Sequence, residues 1–344
     1  MRAVQFEAHG AQPRVVELPV PACPDDGVVV EVRATGLCRS DWHAWRGHEP
    51  VALPHVPGHE LAGVVSATGP MVRSWSVGDR VTVPFVLGCG SCAACRAGEA
   101  QVCADQRQPG FTGPGSFAER VAIERADFNL VELPPSVDFV TAASLGCRFA
   151  TAFRALSAHG RVLPGHCVAV FGCGGVGLSA VMIATALGAR VVAVDVSAAA
   201  LARARDLGAI ELVEAGDATD IVAAVASATN GGAHVSLDAL GSAATAVASV
   251  RSLRPRGRHV QVGLLHGADA TPPLPMDRVI AYELELYGSH GMAARDYPPM
   301  LELVVSGALR PGLLVGRVIP LEAAPRALAE MGSDAASGIT VVTP

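Results

Sequence analysis

Residues 167–177 read CVAVFGCGGVG, and this stretch decides the fold. Its first five residues are an unbroken apolar run, the pattern of a strand buried on both faces. The run ends in Gly172-x-Gly174-x-x-Gly177, directly ahead of the Ala-rich segment LSAVMIATALGA. A glycine triplet alone is weak evidence, but between a strand and a helix each glycine has a physical task. Gly172 makes the tight turn, Gly174 lets a pyrophosphate approach the backbone next to Gly175 and Val176, and Gly177 allows close helix–strand packing. The helix N-terminus then offers unpaired N–H groups and a partial positive charge to the phosphates. Asp195, at the end of the next apolar run VVAVDV, stands where a ribose-binding carboxylate is expected. A carboxylate there accepts from the adenosine hydroxyls and repels a 2′-phosphate. No Arg or Lys follows until Arg203, so NAD is favoured over NADP. The alternative for Asp195 is a helix N-cap.

Working outward, the runs ELVEAG, HVSLDALG, RHVQVGL and LELYGSHG repeat the buried-strand pattern, separated by Ala-rich stretches of helical character. Strands alternating with helices indicate a parallel sheet covered on both faces, in a doubly wound (Rossmann) arrangement. The first third differs. MRAVQF, RVVELPV, GVVVEVRATG, LAGVVSATG, DRVTVPF and ERVAIE are short β-type runs broken by Pro and Gly, with a turn at Gly78-Asp79. They predict a compact β-rich domain. One helix, SVDFVTAASLGCRFATAFRAL, leads out of it. The tail carries a helix over PPMLELVVSGAL, then RVIPLEAAPRALAEM and a closing strand GITVVTP. With no sheet of its own to join, the tail is expected to return to the first domain. The expected organisation is therefore α/β, with domains at 1–148, 149–288 and a return segment at 289–344.

Inside the first pattern, between DRVTVPF and ERVAIE, lies CGSCAACRAGEAQVC, residues 89–103, which holds four of the nine cysteines as Cys89-x2-Cys92-x2-Cys95-x7-Cys103. Zinc takes four ligands at tetrahedral corners, and thiolates two residues apart can turn onto one ion. A site with four protein sulfurs has no open position, so it is structural. A disulfide pair fits less well, since the opening MRAVQFEAHG lacks the long apolar core of a signal peptide. A reducing cytoplasm is the expected compartment. The chain has 344 residues, half of them hydrophobic and 17% charged, enough for two domains and a large core. A net charge of −6 gives no reason to expect nucleic acid or an anionic membrane as partner, and no apolar run approaches a bilayer span.

The remaining candidate metal ligands lie far apart. Cys38 opens Cys-Arg-Ser-Asp-Trp-His, His59 lies in Pro-Gly-His-Glu, and Cys147 sits in LGCRF. Taken singly they are unremarkable. Together with GHELAGVVSATG, the four-Cys array and GCGGVG, the whole chain resembles the zinc-dependent alcohol dehydrogenases of the medium-chain dehydrogenase/reductase superfamily. That resemblance implies a GroES-like first domain completed by the last segment. It implies two zinc ions per chain, one structural and one catalytic, with NAD as coenzyme. Cys38, His59 and Cys147 would hold the catalytic zinc and leave one position for substrate, with Glu60 approaching the metal transiently. Asp41 would orient the zinc-bound His, and Ser40 and His43 would relay the substrate proton to solvent. Arg39 would meet the pyrophosphate, and Phe85 would line the alcohol site.

The implied reaction is oxidation of a primary or secondary alcohol to an aldehyde or ketone, and its reverse, by hydride transfer to NAD+. A polyol or amino-alcohol dehydrogenase on the same scaffold is the alternative. The implied assembly is a homotetramer, with a dimer as the other option and LELYGSHG as a contact strand. Two departures bear on coenzyme affinity: Ala200 and Ile339 stand about where relatives carry basic residues. Trp42 and Trp45 could either narrow the pocket or belong to the core. Arg148, beside Cys147, could recognise an anionic group on the substrate or pair with an acid, and pairing is favoured.

Overall fold

In the computed structural model, which describes residues 1–216, 218–331 and 338–344, the apolar runs after His166 become six parallel strands. In chain order they are Cys167–Phe171, Arg190–Asp195, Glu211–Glu214, Ala233–Asp238, Leu253–Gln261 and Glu285–Gly288. The sheet runs from Glu211–Glu214 through Arg190–Asp195 and Cys167–Phe171 to Ala233–Asp238, Leu253–Gln261 and Glu285–Gly288. The first and fourth strands are neighbours, so the order reverses between them, and in such sheets ligands bind beyond the strand ends at that reversal. Val192, Val194, Val213, Val225, Val250 and Leu253 pack the helices onto the sheet. The helices start on side-chain caps: Ser197 accepts from Ala200 N–H, Asp220 from Ala223 N–H, and Ser242 with Thr245 forms a capping box.

These elements lie in a unit spanning Thr151–His290; the other unit joins Met1–Ala150 to Gly291–Pro344. Its main sheet runs Val315–Pro320, Ile339–Thr343, Val28–Leu37, Glu60–Thr68, Arg80–Thr82, Val131–Glu132, and Arg120–Ile123 also pairs with Val28–Leu37. All pairings are antiparallel except that of Val315–Pro320 with Ile339–Thr343. A separate hairpin, Arg2–Gln5 with Arg14–Glu17, packs Val4 and Phe6 into a cluster with Leu37, Trp45, Phe117 and Leu328. A second cluster around Val30, Leu61, Val81 and Ile123 fills the other part of the sheet. The closing strand Ile339–Thr343 pairs Thr340 opposite Leu37, so the tail braces the end of the strand that leads into Cys38.

The expected single helix from Ser136 onward differs in the structure. It begins at Phe139 on the Asp138 cap, and Leu145–Phe149 and Ala155–His159 adopt the wider π geometry around the α-helical turn Ala150–Arg154. Gly146 weakens the helix at the first widening, and the Arg148 N–H turns to the Glu60 carboxylate (3.0 Å). Among the described residues, no helix is long and apolar enough to cross a membrane.

Candidate active site

Cys38 follows the strand Val28–Leu37, and His59 immediately precedes the strand Glu60–Thr68. The antiparallel register sets Gly36 opposite Glu60, so two residues distant in sequence leave the sheet side by side. The widened turn Leu145–Phe149 delivers Cys147 to the same place. The ligand atoms of Cys38, His59, Glu60 and Cys147 all lie within 4.8 Å of one another. Gly146 O, next to Cys147, accepts from Phe85 N–H (3.3 Å) and from the buried Tyr297 hydroxyl (3.2 Å), which fixes this turn.

Asp41 organises the cluster. Its Oδ1 contacts His59 Nδ1 at 2.9 Å and accepts from Gly58 N–H at 3.0 Å, and its Oδ2 accepts from Cys38 N–H at 2.9 Å. The imidazole is fully buried, and its Nε2 has no hydrogen-bond partner. An orphaned buried nitrogen facing two cysteines is costly unless a cation satisfies it. The local field favours one. Burial opposes a positive charge on His59, but the Asp41 carboxylate and the Cys38 sulfur outweigh it and raise its pKa well above the ordinary value. Cys38 is held well below the usual thiol range, chiefly by a hydrogen bond from Cys147, while burial raises it and Arg148 and His59 lower it further; Cys147 is correspondingly pushed up. Two sulfurs and an oriented imidazole nitrogen are a donor set that fits zinc.

Ser40 and His43 sit three residues apart on the helix Arg39–Arg46, hence on neighbouring positions of one face. Ser40 Oγ is 3.9 Å from Cys38 Sγ. His43 Nδ1 lies 2.9 Å from Nδ1 of the exposed His48. Phe85 packs edge-on to His59 with ring centroids 6.1 Å apart. Trp42 is half-buried, with the Arg39 and Arg46 guanidinium groups over its ring at 5.0 and 5.7 Å, and Trp45 belongs to the core. Arg148 pairs with Glu60, in keeping with the favoured of its two readings. Phe111 (5.1 Å from the His59 ring), His48 and Tyr297 were not singled out from the sequence. Phe111 lies in the turn-rich QPGFTG, where no periodicity marks it.

The second donor set is Cys89, Cys92, Cys95 and Cys103, again within 4.8 Å of one another, all as free cysteines. Cys89 and Cys95 sulfurs are 3.9 Å apart and Cys92 and Cys103 sulfurs 3.7 Å. A zinc–sulfur tetrahedron with bonds of ~2.3 Å has edges of about 3.8 Å, so the sulfurs already fit the metal. Backbone N–H groups turn inward: Cys89 donates to Cys103 Sγ, Ser91 and Cys92 to Cys89 Sγ, and Cys95 to Cys92 Sγ. The bonds from Ser91 and Cys92 lower the Cys89 thiol to about 5, while burial raises Cys95 to about 12.

In the unit Thr151–His290, Gly172 has φ +88°, open to glycine but strained for other residues. A Cβ on Gly177 would lie 1.7 Å from Gly172 O, whereas one on Gly174 would meet nothing within 4 Å. The loop is thus closed on its packing side and open where a phosphate would approach. Gly174 is the N-cap of the helix Gly175–Ala186 and, lacking a side chain, leaves the first-turn N–H groups of Gly175, Val176 and Gly177 uncapped. Asp195 is not the cap of the next helix, a role Ser197 takes. Its carboxylate is instead anchored by the N–H groups of Cys173 (2.6 Å) and Ser197 (2.8 Å), beside the loop. An open anion cradle next to a fixed carboxylate fits a dinucleotide.

Comparison with known proteins matches residues 24–135 to the alcohol dehydrogenase GroES-like domain and residues 175–306 to the zinc-binding dehydrogenase family. An alcohol dehydrogenase of Geobacillus stearothermophilus is 32% identical over 300 residues, 86% of each chain. The chain belongs to the zinc-dependent alcohol dehydrogenases. Two solved structures agree with it over the whole chain. The alcohol dehydrogenase TADH from Thermus sp. ATN1 has a TM-score of 0.92 at 32% identity, covering 100% of this chain and 99% of its own. An NAD-dependent alcohol dehydrogenase has a TM-score of 0.90, again at 32% identity, with 100% of each covered. This zinc-dependent alcohol dehydrogenase accordingly uses zinc and NAD to interconvert alcohols and their carbonyl products. Its β-rich sheet is the GroES-like part and its parallel sheet the Rossmann part.

Proposed function

We propose that Cys38, His59 and Cys147 hold the catalytic zinc, that the four-cysteine lobe holds the structural one, and that the loop Gly172–Gly177 with Asp195 holds NAD. The unit Met1–Ala150 with Gly291–Pro344 is then the catalytic domain, and Thr151–His290 the coenzyme domain. The observation that carries this reading is the unpartnered, fully buried His59 Nε2 beside two cysteine sulfurs. Zinc, when bound, draws electron density from the substrate oxygen and acidifies its hydroxyl, and NAD+ accepts the hydride.

The chain's own residues position the reactants and move the proton. Asp41 fixes the imidazole tautomer through Nδ1 and leaves Nε2 to face the metal. Ser40 Oγ takes the substrate hydroxyl proton and passes its own to His43. The 2.9 Å contact with His48 then carries it to a ring exposed to water. Phe85 and Phe111 cover His59 with aromatic surface, which excludes water and suits an uncharged carbon skeleton. Arg148 is engaged by Glu60, so an anionic substrate has no support from that side chain. Primary and secondary alcohols without charge are therefore the proposed substrates. Arg39, exposed above Trp42, is the proposed pyrophosphate contact from this domain. The edge strand Glu285–Gly288 offers a pairing edge for a homotetramer or dimer, and nine free cysteines suit the reducing cytoplasm as the proposed compartment.

The test is NADH formation by purified, zinc-quantified protein from primary, secondary, aromatic and polyhydroxylated alcohols, with NADP+ in parallel. Activity on simple or aromatic alcohols with NAD+ is expected; turnover confined to polyols or charged alcohols would move the assignment to that branch. Replacing Asp195 by Gly removes an acceptor fixed at the loop. A hydrogen bond to a charged group contributes about 1.5–3 kcal/mol, so KM for NAD+ should rise roughly ten- to hundredfold, with a smaller change for NADP+. Asp195→Asn, which keeps one acceptor oxygen for Cys173 or Ser197 N–H but loses the other and the charge, should fall between. An unchanged NAD/NADP ratio in both variants would show that another group reads the ribose.

A further inference from the structure

The active-site cluster contains one donor too many. A metal that took Cys38, His59, Cys147 and Glu60 would be saturated by protein, and a saturated tetrahedral zinc has no position for an alcohol. Glu60 is held elsewhere. Its Oε1 accepts from the Arg148 backbone N–H (3.0 Å) and from Arg148 Nε (3.1 Å), and its Oε2 accepts from Arg148 Nη2. Both residues are buried, Glu60 at 0% and Arg148 at 9% exposure. We infer that Arg148 is a positioning residue that holds Glu60 off the metal and keeps the fourth coordination position open. The inference rests on Cys38, His59 and Cys147 being the zinc ligands.

Several features combine in this clamp. Arg148 presents a planar fork that matches a carboxylate bidentately, and its own backbone N–H adds a third bond. That N–H is directed to Glu60 from the π-helical turn that also carries Cys147, so ligand and clamp are placed by one backbone irregularity. Gly36 makes the space: a Cβ there would come within 2.3 Å of Glu60 Oε2 and 3.1 Å of Arg148 Nη2. Burial works against the charge on Arg148, and the Glu60 carboxylate outweighs it, so the guanidinium stays charged. Without Arg148, the buried Glu60 carboxylate would face the Cys38 sulfur and His59, and a zinc ion would be the strongest cation within its reach. It would turn to the metal.

The experiment uses Arg148→Met, of similar length and without charge, in the full chain, with metal content measured first. In cobalt-substituted protein the visible spectrum reports binding of imidazole at the open position. The variant should keep two metals per chain, while its imidazole affinity falls about ten- to hundredfold and release of the catalytic metal to a chelator slows. Arg148→Met combined with Glu60→Gln should regain the imidazole affinity of the parent, because the competing carboxylate is gone. Arg148→Lys keeps a charge but not the fork and should lie between; it also decides the matter if Arg148→Met does not fold. Two metals with unchanged imidazole affinity in Arg148→Met or Arg148→Lys would overturn the inference. A parent protein that binds only one metal would instead overturn the zinc-ligand reading beneath it.

Discussion

His59→Ala should bind one zinc per chain instead of two and lose at least four orders of magnitude in alcohol oxidation. That loss corresponds to roughly 5.4 kcal/mol of transition-state stabilisation. The loss is chemical because the substitution removes the one nitrogen donor, and with Glu60 held by Arg148 two sulfurs alone do not complete a site. The fold should survive for a stated reason. Asp41, the buried partner of His59, still accepts from Gly58 N–H and Cys38 N–H, so no carboxylate is stranded. Metal analysis, far-UV circular dichroism and NAD binding by fluorescence separate the outcomes. A variant that keeps two zincs, or one that loses its secondary structure, would contradict this account of His59.

The second large effect concerns the lobe. Cys103→Ala should also remove one zinc, but its main consequence is structural. The lobe has almost no apolar interior: Cys95, Cys103, Ala100 and Ala293 with Cys89 and Cys92 make up its packed cluster. It is held at its base by Asn129, which bonds Gly88 N–H and O, and by the Leu87–Arg107 bridge. Between those anchors, the proposed zinc would stand in for a core. Loss of a structural metal belongs to the upper end of single-residue effects, about 4 kcal/mol or more. For a unit of this size that is a fall in melting temperature of roughly 10 °C. The exposed Arg96 gives a direct readout, since trypsin should cut there far faster in the variant. Unaltered melting and unaltered proteolysis would show that the sulfurs hold the lobe without metal.

Both effects were legible in outline from the sequence, because each rests on residue types whose spacing has a physical meaning. The four-cysteine array, the glycine loop after an apolar run, and the alternation after His166 are local patterns. The register that sets Gly36 opposite Glu60 is not local, and the convergence of Cys38, His59 and Cys147 could be expected only through resemblance. What stayed hidden is side-chain pairing over long separations. Arg148 and Glu60 are 88 residues apart, and two charges in unrelated motifs do not announce a shared carboxylate. The π-helical widening at Cys147 was missed for a related reason. It is set by tertiary bonds to Glu60, Phe85 and Tyr297 that propensity does not register. His48 and Phe111 carry no pattern at all.

The pairing of Ile339–Thr343 with Val28–Leu37 has a consequence for biosynthesis. Chains emerge from the ribosome at about 5–20 residues per second, so the strand leading to Cys38 waits on the order of tens of seconds for its neighbour. The contiguous stretch Thr151–His290 meets no such delay and can close its sheet while the rest is still being made. During that interval the Thr35–Leu37 end of this strand has an unpaired edge, exposed to mispairing with other nascent chains. Expression yield should therefore respond to chaperone supply more strongly than the stability of the finished protein would suggest.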